Sequence, residues 1–241
     1  MNNISSIPLE NLTYTLIPVI MVLIILVKWK LGATHAIYAM SRMLAQLLVI
    51  GYFLNAIFAS ASAQITLIIL AIMLFFASWI ALGTVKQKRR KMFSKAVISL
   101  FVAGGFTLFI VVIGVLELNP WYQPRFVIPL GGMILANSLS SISLAAERFQ
   151  SELSNNTEII QARNIAFNAA LIPTINALFA VGLVSLPGMM TGQILSGVSP
   201  FIAARYQIMV MCMLFASSGI STACFLTLIR NDYKPQEAAR E

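Results

Sequence analysis

KQKRRKMFSKAVISLFVAGGFTLFIVVIGVLE, residues Lys86–Glu117, sets the terms on which the whole chain is read. Six cations fall between Lys86 and Lys95, and no charge follows from Ala96 until Glu117. An uncharged run of about 20 residues wound as an α-helix is about 30 Å long, the thickness of a bilayer's hydrocarbon core. A dense basic cluster at one end of such a run marks the end held on the cytoplasmic side.

Runs of this kind recur along the 241 residues, 59% of which are apolar and 10% charged, with a mean hydropathy of +0.87. A soluble domain of this size needs charges nearer a quarter of its residues to hydrate its surface. The expected class is therefore an all-α, polytopic transmembrane helical bundle of about seven spans. These fall at about 12–27, 36–58, 65–85, 97–116, 126–146, 165–186 and 201–229, in a single permease-like domain over 1–241. The first run lacks a basic leader and a small-residue cleavage site, so it is expected to be retained.

The net charge of +8 sits in short clusters between the runs and reads as orientation, with no nucleic-acid partner implied. An external N-terminus and a cytoplasmic C-terminus put Lys28, Lys30, the Lys86–Lys95 cluster, Arg148, Arg163, Arg230, Lys234 and Arg240 inside, leaving Arg125 and Arg205 outside. Trp121 and Tyr122 then fit an outer aromatic belt. Cys212 and Cys224 lie about 18 Å apart on one helix, too far to bridge.

No GxxxxGK[ST], HExxH, CxxC or GxSxG string occurs, the one histidine is His35, and the one aspartate is Asp232 in the tail. The expectation is a transport subunit, not an enzyme, with no cofactor of its own; any metal ligand is left unassigned.

Polar groups at span depth are costly and mark helix contacts or a hydrated path. In the fifth run Asn137, Ser140 and Ser141 are spaced to share a helix face, a pattern that serves helix–helix hydrogen bonding and pathway lining alike. In the sixth, Pro173 is expected to kink the helix beside Thr174 and Asn176. The stretch 187–200 is too polar for a span and too apolar for a hydrated loop, so it reads as re-entrant or broken. Met189, Met190, Thr191 and Gln193 in it join the candidate pathway, the thioethers serving either as packing or as soft-ion ligands. Arg42, with Gln46 one turn on, reads either as a buried functional charge or as a side chain snorkelling inward. Between the fifth and sixth runs, 147–164 reads as a charged helical segment on the cytoplasmic face, with Glu147, Arg148, Glu152, Glu158 and Arg163 available to a soluble partner.

Two strings, PRFVIPLGGMILANSLSSISLAAERF (Pro124–Phe149) and LIPTINALFAVGLVSLPGMMTGQILSGVSPFIAARYQI (Leu171–Ile208), strongly resemble the FetB-type permeases, bacterial iron-export ABC permeases related to the plant aluminium-sensitivity and aluminium-resistance membrane subunits. RMLAQLLVIGY (Arg42–Tyr52) is similar to that family's second span. The resemblance implies a bacterial inner-membrane subunit that exports iron or an iron complex, pairs with a second copy of itself and borrows ATP hydrolysis from a separate cytoplasmic ATPase. Ser154–Ala170 departs from the family's longer coupling loop, which leaves 147–158 and the Lys86–Lys95 loop to carry contact with an ATPase. An ion-coupled secondary carrier or channel for a metal or small organic cargo is the alternative.

Overall fold

In the computed structural model, residues 8–59 and 62–231 are described. Every regular element among them is helical, apart from one isolated bridge pairing Val181 with Ser185. The chain divides into two compact units, Met1–Ala59 and Ser60–Glu241.

The first unit is a helical hairpin. A short helical lead-in, Leu9–Thr15, runs into α1 (Leu16–Lys28), and α2 (Ala33–Ala59) follows after a tight turn. That turn is a Schellman cap: the Lys30 and Leu31 amides donate to the Val27 and Leu26 carbonyls, with Lys30 at φ 57° and Gly32 at φ 73°. Pro18 stands in the first turn of α1, where its missing N–H costs nothing. Within this unit no residue of α1 is buried, and Arg42 and Gln46 on α2 are exposed.

The second unit contains α3 (Ala63–Ala81), α4 (Arg89–Phe109), α5 (Pro124–Ser154), α6 (Ile159–Ala180), α7 (Gly188–Leu195) and α8 (Pro200–Arg230). A π-helical stretch, Ile110–Val115, extends α4. The two 31-residue helices form the centre: α5 packs on α3, α4, α6 and α8, while α8 packs on α4, α5, α6 and α7. Arg89 fastens the α3–α4 turn by donating to the Trp79 carbonyl through Nε (3.1 Å) and Nη2 and by stacking 3.7 Å above the Trp79 ring.

Among the described residues, six helical stretches are long and apolar enough to cross a bilayer: Glu10–Lys28, Ala33–Ala59, Ala63–Ala81, Arg89–Val115, Pro124–Ser154 and Pro200–Arg230. Each contains or closely matches an expected span. The sequence predicts a seventh at 165–186, and there the structure differs. Helix α6 begins six residues earlier, at Ile159, and stops at Ala180, so its first half carries Gln161, Arg163, Asn164 and Asn168. Its apolar continuation, Leu183, Val184 and Leu186, is an exposed turn.

The expected charged helix over 147–164 is also redrawn. Residues 147–154 are the last turns of α5, 159–164 are the first turns of α6, and Asn155–Glu158 is the turn between them. Asn156 stops α5 at φ 60°, its amide donating to the Leu153 carbonyl and that of Thr157 to the Glu152 carbonyl. This is a second Schellman cap, built on an asparagine able to adopt the left-handed conformation.

Candidate functional site

Helices α5 and α8 meet along a seam of small hydroxylated residues. Ser138 and Ser141 of α5 and Ser217, Ser218, Ser221 and Thr222 of α8 are all buried, and their size lets the two backbones approach. Asn137 crosses the seam, its Nδ2 donating to Ser218 Oγ at 2.6 Å and to the Leu214 carbonyl at 3.2 Å. Ser141, Ser217 and Ser221 donate back to carbonyls of their own helices, as hydroxyls in apolar surroundings do. Ser138 Oγ and Thr222 Oγ1 are buried without a partner.

The structure thus separates residues that the sequence groups together. Asn137 and Ser141 turn into α8, whereas Ser140 is exposed and donates to Ala136 on its own helix. Thr174 is buried and Asn176 is exposed. Pro173 lies inside α6, which runs on for seven residues, so the ring removes a donor to the Ala169 carbonyl without ending the helix. The seam residues of α8 were within reach of sequence reasoning: Ser217, Ser218, Ser221 and Thr222 repeat at i, i+1, i+4 and i+5, the same signature that singles out α5.

Around α7 the candidate residues do converge. Pro187 precedes the helix, and the Thr191 hydroxyl donates to the Pro187 carbonyl at 3.2 Å. A third Schellman cap closes it, with Gly197 at φ 89° and the Gly197 and Val198 amides donating to the Ile194 and Gln193 carbonyls. Helix α7 packs on α8, and Met189 joins a cluster formed by Val111, Leu130, Ile134, Val210 and Met213, with Met133 and Met209 also at its rim. Met190 is half-buried. Two amide oxygens, Gln193 Oε1 of α7 and Gln207 Oε1 of α8, are buried and unpartnered. Gln207 lies one turn before Val210 on the inward face of α8; as one glutamine in a long apolar run, it drew no notice from sequence.

At the α5–α6 turn, Glu147, Arg148 and Glu158 are exposed and Arg163 is half-buried, its guanidinium donating to Asn164 Oδ1 at 2.9 and 3.2 Å. Glu152 is different. It is buried, pairs with Arg148 at 2.6 Å and accepts from Thr157 Oγ1 at 2.9 Å. Phe149 and Ile159 are buried too, so the apolar face of this segment closes on the bundle.

A cavity of about 520 Å³ lies elsewhere, between α3, α4 and α5, lined by Leu70, Leu74, Phe101, Gly104, Gly105 and Trp121 among others. It contains none of the candidate pathway residues.

Comparison with known proteins places this architecture. The model of the Uncharacterised protein family (UPF0014) matches residues 9–233. The chain belongs to UPF0014. This UPF0014 protein is 36% identical over 241 residues to the probable iron export permease protein FetB of Escherichia coli K12, covering 90% of both chains. It is 34% identical over 227 residues to the UPF0014 membrane protein slr1647 of Synechocystis, covering 87% of this chain and 88% of the relative. With the UPF0014 membrane protein STAR2 of rice it shares 29% over 201 residues, 77% of this chain and 69% of that one. No solved structure matches. The chain is a multi-pass membrane protein of the permease type.

Proposed function

We propose that this chain is the membrane-spanning subunit of an ABC-type exporter of iron or an iron complex, working as a homodimer with a separate cytoplasmic ATPase. The observation that carries the reading is the 36% identity, over nine-tenths of both chains, to a protein named as a probable iron export permease. The sequence itself holds no phosphate-binding GxxxxGK[ST] string, which in this reading leaves ATP to the partner.

Helix α6 counts as the seventh crossing. Its 22 residues reach about 33 Å at the helical rise, and the four-residue turn before it sends it back along α5, on which it packs. The N-terminus is then external and the C-terminus cytoplasmic, and α7 is a re-entrant helix on the outer side. The exposed Glu147 and Arg148 on the last turns of α5 and Glu158 of the turn after it face the ATPase, and Glu152 fixes the shape of this end from within. Asn137, Ser141, Thr174, Met189 and Gln193 border the cargo's route; Ser140, Asn176, Met190 and Thr191 stand at its edges.

The test is affinity purification of the tagged chain from its native membrane, with identification of bound proteins, followed by ATP-dependent iron transport in vesicles reconstituted with and without the bound ATPase. An ATPase that co-purifies and is required for transport supports the reading. Transport by the chain alone that collapses with the proton gradient replaces it by an ion-coupled carrier.

A further inference from the structure

The 520 Å³ cavity is a groove along the side of the second unit. Its α4 wall runs from Leu100 to Ile113 at helical spacing, about 20 Å along the axis and two-thirds of a bilayer's hydrocarbon thickness. The floor, formed by Val127, Ile134 and Leu135 of α5, is buried. The rims are not: Leu67 and Ala71 of α3 and Phe101, Gly105 and Phe109 of α4 are exposed, so the groove opens sideways between α3 and α4. Its two ends differ. At one stand Leu67, Trp121 and Val127, tied by Thr66, whose hydroxyl donates to the Tyr122 carbonyl at 3.1 Å. At the other, Leu100 and Leu135 belong to the buried cluster around Phe149 and Phe225, which closes it.

No side chain lining the groove is polar apart from the Trp121 indole, so it offers a charged cargo no ligand. Water needs polar partners to occupy such a space, and walls left without neighbours forfeit dispersion contact. Width then separates a helix from a lipid tail. Spread over 20 Å, 520 Å³ gives a mean section of about 26 Å², whereas a helix with its side chains, at least 10 Å across, fills about 80 Å². A hydrocarbon chain, whose carbons approach their neighbours to about 4 Å, needs on the order of 20 Å². We propose that this groove binds an acyl tail of a membrane phospholipid, which enters beside Trp121 and runs along α4 toward Leu100 while its headgroup stays at the level of the indole. Gly105 leaves the tail room, since a Cβ built there meets no atom within 4 Å. The site rests only on the chain's being a membrane protein. It needs neither an ATPase nor a cargo, so its failure and the failure of the export reading are separate results.

The experiment uses the full chain in detergent with Trp29→Phe and Trp79→Phe, which leave Trp121 as the one indole and keep a ring beneath Arg89. It is titrated with a phospholipid whose tails carry bromine, a contact quencher of indole fluorescence. Saturable quenching at one lipid per chain is expected, stronger with bromines near the headgroup than at the tail's end, and reversed by the same lipid without bromine. Gly105→Phe puts a ring into the groove in place of buried methylenes and should weaken binding about 10-fold or more. Quenching that never saturates, quenching indifferent to the position of the bromines, or unchanged affinity in the Gly105→Phe chain overturns the site. Should that variant not fold, the first two readings decide alone. A second copy is the competing occupant. Disulfide cross-linking between copies in native membranes through Gly105→Cys, in a chain with Cys212→Ser and Cys224→Ser, would show the groove covered by protein and overturn the lipid site equally.

Discussion

The second unit holds two buried clusters built on opposite principles. One gathers Ala77, Ala81, Ala96, Ala145, Ala146, Ala162, Ala166 and Ala170 around Phe149, Phe225 and Ile142, and joins α3, α4, α5, α6 and α8. The other has five buried members and a rim of long, flexible side chains. In lipid the apolar effect between helices is lost, and close van der Waals packing has to replace it. The alanine-rich cluster meets that demand, because small side chains let backbones approach and leave little room to rearrange. The methionine-rimmed cluster does not, and its unbranched thioether side chains leave it more room to readjust.

The largest effect should come from emptying the tight cluster. Phe149 is fully buried where α5 meets α6 and α8, and Phe149→Ala should cost about 3 kcal/mol. Equilibrium unfolding in detergent measures it; a loss under about 1 kcal/mol would mean that the alanine cluster is as adaptable as its counterpart. Overfilling should follow closely. Ala166 has no exposed surface and faces the cluster from α6, so Ala166→Leu should cost about 2 kcal/mol and lower the apparent melting temperature.

The same contrast explains what the sequence disclosed. Spans were legible because an unbroken apolar run has few other uses, and most ends of the six qualifying helices lie close to where charge or proline interrupts the runs, the exception being Ala59 and Ala63, which flank a stretch of small residues. The alanine cluster was not, since alanine fits exposed and buried helix faces equally well. The break at Asn155–Glu158 was partly written in Asn155 and Asn156, but a charged helical periodicity on both sides concealed it. Arg148 and Glu152, four residues apart, look like a surface pair of negligible value; only the packing shows that Glu152 is inside. Of the candidate site, Asn137, Met189 and Gln193 were found from their own polarity or softness. Gln207 needed the tertiary structure, because its burial comes from what faces it, whereas the serines of α8 were legible in their spacing and were passed over.

Between the clusters lies the hydroxyl seam, and its worth should be intermediate. Asn137→Leu removes both donations to α8 and leaves the Ser218 hydroxyl without its cross-helix partner. Interhelical hydrogen bonds in membranes contribute about 1 kcal/mol, so the loss should be of that order. Combining it with Ser218→Ala should cost little more, since the two substitutions remove one interaction; additive losses in that double-mutant cycle would show that Asn137 acts through some other contact.

Smaller still should be Met213→Leu. Met213 is buried at the centre of the softer cluster, yet a swap that conserves volume should cost under about 1 kcal/mol. A loss as great as that of Ala166→Leu would erase the distinction between the clusters, because it would show that the methionine is held in one fitted conformation.

Gly131→Ala should be nearly silent, and the reason brings the comparison to its sharpest point. Gly131 adjoins Leu130 of the softer cluster, and a Cβ built there would stand 2.6 Å from Leu70 Cδ2. In the alanine cluster such an encounter would have nowhere to relax. Here Leu70 also lines the 520 Å³ cavity, so its terminal methyl can swing into open space. The displaced rotamer costs about 1 kcal/mol, and replacing a mid-helix glycine by alanine returns about as much. The net change in unfolding free energy should therefore lie within about 1 kcal/mol of zero. A loss of several kcal/mol would show that Leu70 is fixed in place, and that the cavity wall is as rigid as the core beneath Phe149.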